Sequence, residues 1–220
     1  RMVSWAKQRV QELEDKNLHG FVFKKDSPSS GLYRVRVYDE NGMARRIGTG
    51  MFPRQVMRHL PNLPLEEEGR LNDAGLRENF IDRIFAYYRW KEMLNTNPTS
   101  GGLVEFHTAH KLTLMAHSPK HYTEMGRLVA QAGTSEWSEL TKEYATQLME
   151  GLAMLGTPGK HANVLQHLMG YLKNHLSSQD KQELLGLIED YRQEMLPLVV
   201  PLTLLKHHLN RHPVPEWVHQ

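Results

Sequence analysis

A mixed fold is predicted: a partial α/β N-terminal region followed by an all-α helical bundle. Three observations carry this reading. Tyr33, Val35 and Val37 alternate with Arg34, Arg36 and Tyr38, the two-residue period of a strand. From Leu103 onward no such alternation survives, and apolar residues recur at helical spacing. Between the two regimes lies Asn95-Thr96-Asn97-Pro98-Thr99-Ser100-Gly101-Gly102, a run of turn formers.

The N-terminal region opens with an amphipathic helix over residues 3–17, in which Trp5, Val10 and Leu13 recur among charges until His19-Gly20 stops it. Phe21-Val22-Phe23 reads as a short buried strand that leads into the loop Asp26-Ser27-Pro28-Ser29-Ser30-Gly31. The alternating strand follows, Asn41-Gly42 turns it into a half-buried hairpin, and a short helix carries Arg54 and Arg58. Leu76, Phe80, Ile84 and Tyr88 then step by four behind an Asp73 N-cap, which predicts a long core-facing helix. In the second region about six helices are expected, the first over Leu103 to Ala116. Ser118-Pro119, Ser135, Gly156-Thr157-Pro158-Gly159, Ser177 or Ser178, and Pro197 mark the starts of the others. The buried stripe of the fifth is Leu184, Leu187 or Ile188, and Tyr191. The predicted domain limits are 1–94 for the first region, 95–102 for a linker and 103–220 for the helical domain.

Composition narrows the class. Of 220 residues, 40% are hydrophobic and 24% charged, with mean hydropathy -0.56, proportions of a globular protein rather than a disordered one. The longest nearly unbroken apolar stretch, Met195 to Leu205, contains Pro197 and Pro201 and falls short of the roughly 18 residues that span a bilayer. No membrane span is expected, and the expected location is cytoplasmic. There is no cysteine, hence no disulfide and no thiolate-bound metal or iron-sulfur centre held by this chain unaided. Arg1 to Gly20 has no apolar signal-peptide core, and a start at Arg1 inside a helical pattern predicts a piece of a longer chain.

The net charge of +2 conceals an asymmetry. Residues 1–102 carry 17 Lys+Arg against 13 Asp+Glu, whereas residues 103–220 carry 10 against 12 and hold 11 of the 13 histidines. Such a division suggests two regions with different tasks. Residues 34–58 contain six arginines and no lysine, with Arg34 and Arg36 on one strand and Arg45 and Arg46 on its return. Two readings stand: a solvated hairpin face, or guanidinium forks set for phosphate. The Ser-Pro-Ser-Ser-Gly loop likewise is either a polar turn or a ligand site, because it leaves the C-terminal end of a strand in a helix-strand-loop order.

The histidines admit two readings as well. His107, His110, His117 and His121 fall within 15 residues, but no H-E-x-x-H pattern accompanies them, so interior and capping roles compete with zinc. On the fourth helix of this region Asn163, His167 and Asn174 lie opposite Leu165, Leu168 and Leu172. That neutral polar stripe suits hydrogen bonding to bases, ribose or phosphate, with Lys111, Lys160, Lys173 and Lys206 screening phosphate charge.

Phe106-His107-Thr108-Ala109-His110-Lys111-Leu112, continuing through Met115-Ala116-His117-Ser118-Pro119 to Tyr122, resembles the signature of the YbgA-like helical domain. So do Gly159-Lys160-His161-Ala162-Asn163-Val164-Leu165-Gln166-His167 and Pro197-Leu198-Val199-Val200-Pro201-Leu202-Thr203-Leu204-Leu205-Lys206-His207-His208. Residues 1–93 resemble the C-terminal half of the thiouracil-desulfidase-type domain, through Ser27-Pro28-Ser29-Ser30-Gly31 and Glu66-Glu67-Glu68-Gly69-Arg70-Leu71. The fused order is similar to that of bacterial tRNA 4-thiouridine desulfidases.

That resemblance implies hydrolytic removal of sulfur from 4-thiouridine in tRNA, giving uridine and sulfide, on a 4Fe-4S cluster held by three cysteines with one iron open to the substrate sulfur. The family loop reads Ser-Pro-Ser-Cys-Gly, so Ser30 stands at a cysteine ligand position and Ser29 beside it is the candidate for positioning water or the thiolated base. The other two ligands would precede Arg1. This chain is therefore expected to hold no cofactor and to be inactive as it stands, with tRNA as its partner. The RNA-facing residues would be Arg34, Arg36, Arg45 and Arg46 in the first region, and His107, His110, Lys111, Lys160, His161, Asn163, His167, Lys206 and His207 in the second. The alternative is a non-catalytic RNA- or protein-binding module with a degenerate cluster site.

Overall fold

The computed structural model describes residues 2–219; Arg1, on which the reading of a longer chain turns, and Gln220, the far limit of the predicted helical domain, lie outside the described residues. An N-terminal mixed α/β region is followed by an all-α helical bundle. The chain forms two compact units. Residues up to Thr96 together with Thr141–Ala153 make the first, and Asn97–Leu140 with the residues from Met154 onward make the second.

In the first unit, helix α1 (Met2–Glu14) buries Ala6, Val10 and Leu13. Trp5, assigned by its spacing to the inner stripe, is 55% exposed and leans on Phe52 with ring centroids 5.7 Å apart. The small Ala6 takes the place on the buried face that the hydrophobic pattern gives to tryptophan. Strand β1 (Phe21–Phe23) pairs in parallel with β4 (Leu65–Glu67), and Phe21 and Phe23 meet Phe52 of α2 (Met51–His59) edge-on. Val10, Phe23, Leu32, Val56 and Leu63 form the core beneath them.

The hairpin of β2 (Val35–Tyr38) and β3 (Ala44–Gly48) is antiparallel, with its turn held by the Asp39 carboxylate on the Asn41 and Met43 amides. It is not half-buried along its length. Val35 is buried, but Val37 is 45% exposed and Ile47, the extra residue where the register jumps, is 75% exposed. The ribbon therefore meets solvent on both faces.

Helix α3 (Ala74–Thr96) is capped by Asp73, whose carboxylate accepts the Leu76 amide at 2.9 Å. Asn79, Phe80, Ala86, Trp90 and Met93 are its buried residues, whereas Tyr88 is exposed. A step of four residues turns about 40° past a full turn, so a series of three such steps leaves the core face. Trp90 stacks on Tyr144 with centroids 4.9 Å apart, and Asn79 donates from Nδ2 to the Leu152 carbonyl at 2.7 Å. These contacts fasten the Thr141–Ala153 stretch of α6 (Trp137–Ala153) within the first unit.

The second unit begins with a turn of three residues. Asn95 and Thr96 end α3, Ser100 begins α4 (Ser100–His117), and Thr99 caps it by accepting the Gly102 amide at 3.0 Å. Ser118-Pro119 starts α5 (Pro119–Ala130), Thr157-Pro158 starts α7 (Pro158–Tyr171), and Ser177 with Asp180 forms a capping box on α8 (Ser178–Arg192). At α6 the cap is Glu136 rather than Ser135: its carboxylate accepts the amides of Ser138 and Glu139. Ala162, Leu165, Leu172, Leu184, Ile188 and Tyr191 meet Leu205 and Leu209 of α9 (Val199–Arg211) in one core. Among the described residues no helix is long and apolar enough to cross a membrane.

Candidate nucleic-acid interface

The Ser27–Gly31 loop is shaped by backbone. Asp26 adopts a left-handed φ of 57°, and the chain then closes with the Gly31 amide donating to the Ser27 carbonyl at 2.7 Å. The carbonyls of Ser29 and Gly31 accept the amides of Phe52 and Gly50 at 2.9 and 2.7 Å, which seats the loop on the start of α2 and supplies acceptors its first amides need. A Cβ on Gly31 would lie 2.7 Å from the Ser27 carbonyl oxygen, and one on Gly50 would lie 2.9 Å from Ser29, so both positions exclude side chains.

The segment after the loop is clamped from β4. Glu67, 3% exposed, accepts the Leu32 and Tyr33 amides on one carboxylate oxygen at 2.8 and 2.9 Å. Glu66 beside it accepts the Arg70 Nε at 2.8 Å and its neighbour's amide at 2.9 Å. The acidic run Glu66-Glu67 thus works inside the unit, where charge-assisted bonds to amides and guanidinium offset its burial. Neither strand β4 nor this clamp is legible in the sequence, where Glu66-Glu67-Glu68 enters only through the family resemblance.

On the ribbon the arginines divide. Arg36 and Arg46 are directly opposite one another, with Tyr38 two residues along on the same face. A cleft of about 180 Å³ opens there, lined by Asp26, Pro28, Arg36, Tyr38 and Arg46, which joins the arginine face to the serine loop. Asp26 reaches Arg46 only at 3.5 Å. Arg45 opposes Val37 and so faces the other way. Arg34 has a left-handed φ of 53° and precedes the strand, so it does not share the Arg36 face by strand alternation. Arg54 is turned to the Thr49 carbonyl at 2.9 Å.

Ser29 and Ser30 are partly exposed in the loop. The Ser27 and Ser29 hydroxyls are 3.1 Å apart, and the Ser30 amide donates to the Ser27 hydroxyl at 3.2 Å. The iron-sulfur expectation is corrected here. The chain contains no cysteine, and among the described residues no group of three or more His, Cys, Asp or Glu side chains could hold a metal ion. Ser30, which the resemblance sets at a ligand position, offers a neutral hydroxyl, a poor donor to a soft iron centre, so the residues present do not fit a 4Fe-4S cluster.

In the second unit several expected RNA contacts are turned to internal work. His110 places Nδ1 2.8 Å from the Phe106 carbonyl and stacks on that ring. Burial, reinforced by Lys111 and His110, pushes His107 down to about 4, so it is neutral at physiological pH. Lys111 sits 3.7 Å over the Trp217 ring. Lys160 donates to the His117 and Leu155 carbonyls at 2.6 and 3.1 Å, and His161 Nδ1 lies 2.6 Å from the Tyr191 hydroxyl. These bonds tie the α4 end, the α7 start and α8 together. Asn163 and His167 are exposed one turn apart on α7, while Lys206 and His207 are exposed on α9, with Arg211 3.4 Å from His207 Nε2.

With this geometry in view, the class of protein is that of the DUF1722 helical domain: residues 111–220 match the family described as protein of unknown function (DUF1722), and the chain belongs to that family. Residues 1–68 match the model described as 2-thiouracil desulfurase. The chain is similar to the uncharacterized protein YbgA of Escherichia coli (strain K12), 33% identical over 139 residues, which cover 62% of this chain and 81% of that relative. No solved structure matches it.

Proposed function

We propose that this chain is a tRNA-binding module on a desulfurase-type frame, one that grips RNA carrying thiolated uridine without itself removing the sulfur. The observation that carries the reading is the Arg36–Arg46 pair with Tyr38 beside the serine loop. Two guanidiniums opposed across a ribbon repel one another, and a phosphate between them removes that repulsion, while the phenol ring offers a stacking surface for a base. Arg34 and Arg45 add phosphate contacts from the edges of the ribbon. Asn163 and His167 act in the second unit as neutral hydrogen-bonding groups toward bases or ribose. The likeness of residues 1–68 to a 2-thiouracil desulfurase supports 4-thiouridine as the marked base, next to Ser29 and Ser30.

Affinity for tRNA measured at several salt concentrations tests this. Arg36→Ala with Arg46→Ala is expected to reduce the slope of log affinity against log salt by about 0.7 to 0.9 per lost contact, whereas Asn163→Ala with His167→Ala weakens binding with little change in slope. Thiolated tRNA incubated with the chain should release no sulfide. Unchanged affinity in both double variants defeats the RNA reading, and sulfide release defeats the non-catalytic one.

A further inference from the structure

A second cavity, of about 320 Å³, lies within the first unit. Its walls are mainly apolar, with Leu32, Met57, Leu63 and Met149 among them, and its polar groups include Arg83, Tyr33 and, on α6, Thr146 and Glu150. A largely apolar hollow with a few convergent polar groups is the usual form of a small-molecule site.

Arg83 sets this hollow apart. Only 12% of its side chain is exposed, yet its contacts are long: 3.5 Å from Nη2 to the Leu65 carbonyl and 3.8 Å to Glu66. Glu66 spends its short bonds on Arg70 and the Glu67 amide, and the buried Nε of Arg83 meets no acceptor. Burial accordingly pulls Arg83 below the ordinary arginine range. A guanidinium has five donors in a fork, and a buried one left partly unmet signals an acceptor that the chain itself does not provide.

From these residues we infer a binding site for a small organic monoanion, a carboxylate on an apolar body, with Arg83 holding the carboxylate and Leu32, Met57, Leu63 and Met149 enclosing the body. A single negative charge suits the site because Arg83 already has the Glu66 carboxylate 3.8 Å away, and a phosphate dianion would be repelled by it more strongly. This ligand is separate from the RNA of the Arg36–Arg46 face.

The test uses the full chain with 4-fluorobenzoate as probe, followed by fluorine NMR, and 4-fluorobenzamide as its neutral counterpart. Saturable broadening of the benzoate signal with half-saturation below about 1 mM is expected, with the amide at least about tenfold weaker, as the loss of a charge-assisted bond implies. Ala153→Phe, at an exposed lining position, should block both probes and leave tRNA affinity unchanged. Arg83→Met should abolish the preference for the carboxylate. If that variant does not fold, the probe pair and Ala153→Phe decide alone. No saturable binding, equal binding of acid and amide, or binding that survives Ala153→Phe overturns the proposal, and water is then the partner of Arg83.

Discussion

Arg36 and Arg46 stand directly opposite each other across the β2–β3 ribbon, and the Asp26 carboxylate lies 3.5 Å from Arg46. Like charges at facing positions of an antiparallel pair oppose its formation. Replacing Arg36 with Ala or Thr is therefore expected to hold or slightly raise the urea midpoint while lowering affinity for tRNA. Opposite movement of the two quantities marks a charge pair kept for a ligand. A joint fall would show that Arg36 serves the fold.

Glu67 binds two backbone amides that precede it by 35 and 34 residues. Its truncation in Glu67→Ala orphans a buried donor and a partly buried one, so a loss of roughly 2 to 4 kcal/mol in urea unfolding is expected. Glu67→Gln keeps an acceptor oxygen and should cost clearly less. Equal losses in the two variants would argue that the negative charge, rather than the acceptor, holds the loop.

Acid should weaken the second unit. His107 has a folded pKa of about 4 against 6.5 for the free side chain, so the unfolded chain takes up its proton first. The stability this burial preserves is complete above pH 6.5 and drains away as pH falls toward 4, on the order of a few kcal/mol. His161, lowered by burial and by His117 and Lys160, adds in the same direction. Unfolding midpoints between pH 7 and 4 should fall, and His107→Gln should flatten the fall. A profile that the variant leaves unaltered would place the acid sensitivity elsewhere.

Much of the helical part was legible because its punctuation is local. Ser118-Pro119, Thr157-Pro158 and Ser177 with Asp180 announce helix starts by chemistry within four residues, and the structure uses each of them as a cap. Glu136 supplanted Ser135 because a carboxylate two or three residues ahead can reach the same amides. The parallel pairing of Phe21–Phe23 with Leu65–Glu67 joins segments more than 40 residues apart, and no local period records it. The roles of Lys160 and His161 were hidden for a related reason. Their partners are carbonyls of His117 and Leu155 and a hydroxyl on Tyr191, and composition does not distinguish a cation facing water from one facing a helix end. At the serine loop the candidate position was visible, but its fastening through Glu67, Gly50 and Phe52 was not.

That fastening has an evolutionary side. The bonds recorded for the Ser27–Gly31 loop run through amides, carbonyls and the Ser27 and Ser29 hydroxyls, and Ser30 joins them by its amide. The atom at the tip of residue 30 is thus decoupled from folding, and exchanging sulfur for oxygen there asks little of the scaffold. Residue 30 can thus vary between serine and cysteine while the path of the loop stays fixed by its neighbours.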